Sequence, residues 1–120
     1  MTFGHVRDGF PFVSISLPGL SGSLDAECVL DTGFDGELIL PPEIIRRIEC
    51  EYIGPLDALL ADRTLREAPG YEIRLKWLGE ERIVEAMVLG GRPLLGCRMF
   101  DDNLIQIEMR TGGEVVVEPL

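Results

Sequence analysis

The feature that most constrains the fold of this sequence is a pair of apolar runs joined by a short polar segment. Cys28-Val29-Leu30 leads into Asp31-Thr32-Gly33-Phe34-Asp35-Gly36, and Leu38-Ile39-Leu40 follows after Glu37. The apolar runs predict buried strands, and the two glycines supply the backbone freedom that a tight turn needs. The sequence therefore predicts a hairpin that carries a carboxylate at its tip.

Short strand patterns separated by turn residues continue along the whole chain. Pro11 to Leu17 alternates apolar and polar residues with a period of two and ends in a turn-rich stretch over 18–23. Further strands are predicted over 24–30, 37–40, 56–61, 63–68, 71–77, 83–89, 93–95, 104–109 and 114–117, with breaks at Pro69-Gly70 and Gly90-Gly91. Two short helices are predicted, one over 41–48 and one within 97–103. This pattern predicts an all-β domain, barrel-like or a sandwich, with one or two short helices.

Length and charge limit the classes of function. A chain of 120 residues is expected to form one domain over residues 1–120. The formal net charge of −10 argues against a nucleic-acid partner, because an acidic surface repels phosphates. Apolar runs such as Val115-Val116-Val117 are far too short to span a membrane, and the N-terminus has no apolar signal core. We therefore expect a cytoplasmic protein with no membrane partner.

The inventory of reactive side chains leaves carboxylate chemistry as the main possibility. His5 is the only histidine, so Ser-His-Asp and Cys-His mechanisms lack a base. Cys28, Cys50 and Cys97 contain no Cys-x-x-Cys pair, so we expect reduced thiols, no metal site and no cofactor. Asp31 is the strongest candidate because it follows an apolar strand and lies among turn residues.

Two of these segments resemble the motifs of single-lobe aspartic proteases of the retroviral (retropepsin-like) type. Val29-Leu30-Asp31-Thr32-Gly33-Phe34-Asp35 is similar to the catalytic loop of that family, and Pro93-Leu94-Leu95-Gly96 is similar to its later hydrophobic-hydrophobic-Gly motif. The pattern Asp-Thr-Gly-Phe-x-Gly-x-Leu is similar to bacterial and archaeal members. The resemblance spans most of the chain, from Phe12 to Val117, and implies a retropepsin-like acid-protease fold.

The resemblance also implies roles for the loop residues. Asp31 would be the catalytic aspartate, and the hydroxyl group of Thr32 would bond across a dimer axis. Gly33 would line the backbone of the substrate. Asp35 would brace the loop or meet the main chain of the substrate, and bracing is the simpler reading of a turn aspartate.

Other residues would support the loop or cover the substrate. Leu94, Leu95 and Gly96 would pack against the catalytic loop, and Arg98 falls where many relatives carry a buried structural polar residue. The segment Ala61-Asp62-Arg63-Thr64 lies where the family keeps its substrate-covering flap. Arg63 stands at the tip, where the family would have glycine.

One Asp-Thr-Gly per chain cannot complete the chemistry alone. Peptide hydrolysis by carboxylates requires two carboxyl groups that share a proton, so a symmetric homodimer would supply the second Asp31. The expected function is therefore an aspartic endopeptidase that acts on a peptide or protein as a homodimer. An alternative is a peptide-binding module on the same fold with little or no hydrolysis, and a third is an assembly domain in which Asp31 is only a turn residue.

Overall fold

The computed structural model describes residues 1–120, which form one ten-stranded sheet. The strands are β1 (Thr2–Arg7), β2 (Phe10–Gly19), β3 (Gly22–Asp31), β4 (Leu38–Leu40), β5 (Glu51–Leu59), β6 (Leu65–Trp77), β7 (Glu80–Val88), β8 (Leu94–Gly96), β9 (Asn103–Ile107) and β10 (Glu114–Pro119). A four-residue helix, α1 (Pro42–Ile45), follows β4, and a 3-10 helix, Cys97–Phe100, follows β8. The all-β class predicted from the sequence is confirmed.

The sheet is open and mixed. Its strand order is β5-β6-β7-β4-β8-β3-β2-β1-β10-β9, so β5 and β9 are the two edges. The pairs β3–β8 and β4–β7 are parallel, and the remaining pairs are antiparallel. The sheet curls enough for β2 to contact β6, although four other strands separate them in the sheet order. One face of the sheet therefore encloses the core.

The expected hairpin between β3 and β4 is wrong. These two strands do not pair, because β8 lies between them and pairs with both, through Leu30↔Leu95 on one side and Leu38↔Leu95 on the other. Two strands separated by a third lie about 9.6 Å apart, a gap that the six residues 32–37 can span. The loop is therefore wide and encloses the end of β8.

The expected break at Pro69-Gly70 is also wrong, because both residues lie inside the 13-residue strand β6. Pro69 pairs with Pro55 of β5, whereas the pairing with β7 begins only at Gly70. Pro69 therefore lies where the strand has a neighbour on one side only, a position at which the missing N–H group is tolerated.

The two short helices lie where the sequence predicted them, although both are shorter. Pro42 occupies the first turn of α1, where a missing N–H group costs nothing. In the 3-10 helix, Met99 and Phe100 are buried. No helix in the chain combines the length and the apolar character that crossing a membrane requires.

The apolar interior divides into a large cluster and a small one. The large cluster collects side chains from most strands and includes Trp77, which meets Phe100 edge to face at 6.0 Å between ring centroids. The small cluster consists of Phe34, Ile39, Ala58, Ala68 and Met87. It lies under the hairpin formed by β5 and β6 and supports the loop that carries Asp31.

Candidate active site

The carboxylate of Asp31 is held by the turn that it begins. Asp31 is the last residue of β3 and pairs in parallel with Gly96 of β8. Its Oδ1 accepts a hydrogen bond from the Gly33 amide at 2.9 Å, and its carbonyl oxygen accepts one from the Phe34 amide at 3.2 Å. The carboxylate is half-buried and fixed in direction, with Oδ2 free of bonds within the chain.

The loop is anchored by Phe34, whose side chain is 1% exposed and forms part of the small cluster. The Phe34 carbonyl accepts a hydrogen bond from the Cys97 amide at 2.9 Å, and the Glu37 carbonyl accepts one from the Gly96 amide at 2.8 Å. The Gly36 carbonyl accepts a bond from the Arg98 amide at 3.2 Å. The loop is therefore clamped onto the end of β8 and the start of the 3-10 helix.

Gly96 is required by this close packing. A Cβ atom at this position would lie 2.1 Å from the Gly36 carbonyl oxygen and 2.5 Å from the Phe34 ring. No side chain fits such a space, because real Cβ atoms essentially never approach within 3.0 Å of another heavy atom. The pattern Leu94-Leu95-Gly96 thus ends in glycine because the loop rests directly on it.

Thr32 and Asp35 lie in different surroundings. Thr32 is exposed, and its hydroxyl group makes no hydrogen bond within the chain. Asp35 accepts a bond at Oδ1 from the Leu59 amide at 3.0 Å, and its own amide donates to the Leu59 carbonyl at 3.3 Å. Asp35 therefore braces the loop against the end of β5, and it lines a second cleft rather than the one that holds Asp31.

The turn between β5 and β6 is called here the hairpin tip, residues 60–64. The Leu60 amide donates to the Thr64 carbonyl at 3.0 Å, and Asp62 Oδ1 accepts bonds from the Thr64 amide at 3.0 Å and the Thr64 hydroxyl at 2.6 Å. These bonds, the hydroxyl first, lower the pKa of Asp62, so it is an anion at neutral pH. Arg63 adopts a φ of +67°, in the left-handed region where glycine is favoured.

The hairpin tip lies directly on the loop. A Cβ atom on Gly33 would lie 2.8 Å from the Ala61 Cβ atom and 3.3 Å from Asp31 Oδ1. The absence of a side chain at Gly33 is what lets Ala61 approach the Asp31 loop this closely. The structure therefore brings together two segments that are about thirty residues apart in sequence.

A cleft of about 460 Å³, called here the Asp31 cleft, contains this contact. Among the residues predicted from the sequence, it brings together Asp31, Ala61, Asp62 and Leu94. Its remaining lining residues are Ile39, Leu60, Arg66, Leu89, Gly90 and Arg92. Sequence reasoning missed Arg66 and Arg92, since no motif marked them and their proximity to Asp31 depends on strand pairing.

The arginine side chain that supports the loop belongs to Arg82 and not to Arg98. The side chain of Arg98 is exposed, and its contribution comes through its backbone. Arg82 Nη2 donates to Glu37 Oε2 at 2.7 Å and to the Arg98 carbonyl at 3.0 Å, and Nη1 donates to the Met99 carbonyl at 3.3 Å. No sequence signal links Glu37 to Arg82, because 45 residues separate them. Leu95, by contrast, is fully buried beneath the loop, as expected.

The thiols and acidic groups define what other chemistry the fold offers. All three cysteines are free, and burial followed by the nearby Glu27 raises the pKa of Cys28 to about 12. Cys28 is therefore a neutral thiol and a poor nucleophile. No three His, Cys, Asp or Glu side chains are grouped so as to hold a metal ion.

Comparison of the chain with protein-family models, with curated proteins and with solved structures gives no match. The function is therefore inferred from the residues of the Asp31 cleft. These residues offer a fixed carboxylate and part of the hairpin tip, and the exposed hydroxyl group of Thr32 follows Asp31 in the chain outside the cleft lining.

Proposed function

We propose that this protein is a retropepsin-like aspartic endopeptidase that acts as a homodimer, with Asp31 of each subunit forming a catalytic pair. One observation carries the proposal. The two segments that the sequence resemblance places on opposite sides of a substrate, the Asp31 loop and the hairpin tip, line the same cleft.

The proposed chemistry uses two Asp31 carboxyl groups that share one proton, because like charges about 3 Å apart cannot both ionise. The ionised group takes a proton from a water molecule, whose oxygen attacks the carbonyl carbon of the scissile bond. The protonated group donates its proton to the carbonyl oxygen, which gives a tetrahedral diol. Transfer of a proton to the amide nitrogen then allows the C–N bond to break, and the pair returns to its starting state.

Two features of the loop suit association with a second subunit. Asp31 Oδ1 is engaged by the Gly33 amide while Oδ2 is free of intrachain bonds, so the carboxylate is oriented yet able to meet a partner group. The Thr32 hydroxyl group is exposed and without a partner in the chain. Under the proposal it bonds across the two-fold axis and fixes the separation of the two loops.

The hairpin tip would act as a lid over the substrate. Ala61 contacts Gly33 in this conformation, which leaves no space for a peptide between them. A peptide can therefore enter only when the tip lifts. Because the tip is bonded mainly to itself, such a movement leaves the sheet intact.

The second candidate is a peptide-binding module that keeps this architecture without efficient hydrolysis. The observation that favours it is the tip itself, where Arg63 adopts a left-handed conformation that costs about 1 kcal/mol outside glycine. A tip without glycine that rests on Gly33 has less freedom to close over a peptide and complete a catalytic site. Peptide affinity without turnover would favour this candidate.

The proposal is tested by incubating the purified protein with a diverse peptide pool between acidic and neutral pH. Asp31→Asn should reduce cleavage at least about a hundredfold, because it removes the shared proton of the pair. Asp25→Asn is the matched control, since Asp25 is an exposed residue of the same strand that lies outside the cleft. Cleavage that survives in Asp31→Asn, or a protein that sediments as a monomer, would contradict the proposal.

A further inference from the structure

The charge of the Asp31 cleft differs from that of the rest of the chain. The protein carries 21 acidic and 11 basic residues, yet two arginines, Arg66 and Arg92, line this one cleft. Neither guanidinium group makes a salt bridge within 4.0 Å, whereas Arg7, Arg74, Arg82 and Arg110 all do. Arg66 lies close enough to Asp62 to help lower its pKa, and Arg92 shares the cleft with Asp31 and Asp62 without forming an ion pair with either.

Aromatic rings position Arg92. Its guanidinium carbon lies 5.1 Å from the centroid of the Phe10 ring and 5.8 Å from that of Phe12. Such cation–π contacts use the face of the guanidinium group and leave its N–H donors available in the plane. An oriented guanidinium group with unused donors is well suited to bind a carboxylate through two parallel hydrogen bonds.

The strand register gives the distance between this arginine and the catalytic residue. Asp31 is level with Gly96, and the Val29 amide donates to the Pro93 carbonyl at 3.0 Å, so the chain stays aligned with β3 back to Pro93. The Cα atom of Arg92 lies four residues before Gly96, but its guanidinium group reaches the ring of Phe12, which is level with Val29, and the ring of Phe10 beyond it. Val29 is two residues before Asp31, or roughly 7 Å at about 3.3 Å per residue, a distance that an extended peptide covers in about two residues.

We propose, on the basis of the endopeptidase function above, that the substrates are peptides with Asp or Glu side chains within about two residues of the cleaved bond. Arg92 binds the acidic side chain, and Arg66, on the covering hairpin, approaches it from above. A homodimer repeats the cleft about its two-fold axis, so acidic side chains are accepted on both sides of the bond. When two Asp31 groups share a proton, the combined clefts carry a surplus of positive charge.

A measurement of peptide binding tests this inference without requiring that the protein cleave the peptide. The probe is a fluorescent capped peptide with two central leucines and a glutamate at the second position on each side of the bond between them, paired with the same peptide carrying glutamines. Its affinity for the Asp31→Asn protein, measured by fluorescence anisotropy at neutral pH, should be about tenfold higher for the glutamate peptide. This factor corresponds to about 1.4 kcal/mol, the scale of one charge-assisted hydrogen bond.

Three further variants, each made in the Asp31→Asn background, show whether the two arginines cause the preference. Arg92→Gln should remove most of the preference, and Arg66→Gln should remove a smaller part. Arg47→Gln is the control, because Arg47 is exposed and outside the cleft. Added salt should reduce the preference, since it screens exposed charges.

The possible outcomes test the acidic substrate class and the endopeptidase function separately. Equal binding of both peptides, no binding of either, or a preference that persists in Arg92→Gln would overturn the acidic substrate class. Cleavage by the wild-type protein, compared with Asp31→Asn, judges the endopeptidase function independently. An acidic preference that depends on Arg92 but comes without cleavage would support the substrate class and favour the peptide-binding module.

Discussion

The Asp31 loop and the hairpin tip share one local hydrogen-bond pattern, but their contacts with the rest of the protein differ. In each, an aspartate Oδ1 accepts a bond from an amide two residues further on, Gly33 in the loop and Thr64 in the tip. The loop is also bonded to β5, to β8 and to the 3-10 helix, and its Phe34 side chain is buried. The tip is bonded to itself, and four of its five residues are exposed.

This difference shows how one short chain can supply both a fixed group and a movable cover. The loop can open only when the small cluster unpacks, so its stability follows that of the whole domain. The tip can open by breaking a few exposed hydrogen bonds, which is a local event of low free energy. A catalytic carboxylate requires the first behaviour and a lid requires the second.

The largest effect is expected at Phe34. Phe34→Ala should lower the free energy of unfolding by about 3–5 kcal/mol, because it leaves a cavity in the small cluster. Leu65→Ala, at the base of the hairpin tip, should change it by less than about 0.5 kcal/mol, because Leu65 is 76% exposed. Chemical denaturation followed by fluorescence measures both. Similar values for the two variants would remove the proposed difference between the regions.

A smaller but still large effect is expected at Gly96. Gly96→Ala should lower the free energy of unfolding by about 2–3 kcal/mol, because the new methyl group displaces the Gly36 carbonyl and the Phe34 ring. Gly90→Ala is the matched control, since a Cβ atom there meets nothing within 4 Å. It should be neutral or slightly stabilising. A Gly96→Ala protein as stable as Gly90→Ala would show that the loop does not rest on β8.

The smallest effect is expected in the hairpin tip and depends on pH. The folded protein lowers the pKa of Asp62, chiefly through the Thr64 hydroxyl group, so the ionised carboxylate stabilises the turn above the ordinary aspartate pKa of about 3.9. That contribution is lost as the pH falls through the lowered pKa. The protection factor of the Thr64 amide, which corrects for the slower intrinsic exchange at low pH, should then fall, while that of the Gly96 amide should not.

Thr64→Val provides the control for this titration. It removes the hydroxyl donor and should move the pKa of Asp62, followed by NMR, back toward its ordinary value. The unfolding midpoint in denaturant should stay nearly constant, because the tip opens locally. An unchanged pKa in Thr64→Val would mean that the hydroxyl group does not hold the carboxylate.

The sequence was sufficient to predict most of the strands, but not β1, the first part of β5 or the neighbours of each strand in the sheet. The alternation in Pro11 to Leu17 and the apolar run before Asp31 are local patterns, and local patterns report extended structure. That β8 lies between β3 and β4 depends on pairing across more than fifty residues, which no local pattern encodes. The continuity of β6 through Pro69 depended in the same way on where β7 ends.

The sequence likewise predicted some residues of the candidate site and not others. Asp31 and Gly33 could be found because turns demand particular residues, and Gly96, Ala61 and Asp62 were found through the resemblance. Arg92 could not be found, because a surface arginine has no sequence signature and its role depends on Phe10 beside it. The salt bridge between Glu37 and Arg82 could not be predicted either, because 45 residues separate the two in the sequence.

The central claim is that each active site contains Asp31 from two subunits, and subunit mixing tests it most directly. Wild-type protein is mixed with increasing amounts of Asp31→Asn protein, allowed to exchange subunits, and assayed for peptide cleavage. Activity per wild-type subunit should fall in proportion to the fraction of wild-type subunits, because mixed dimers contain only one Asp31. Activity per wild-type subunit that stays constant as the variant is added would contradict the claim.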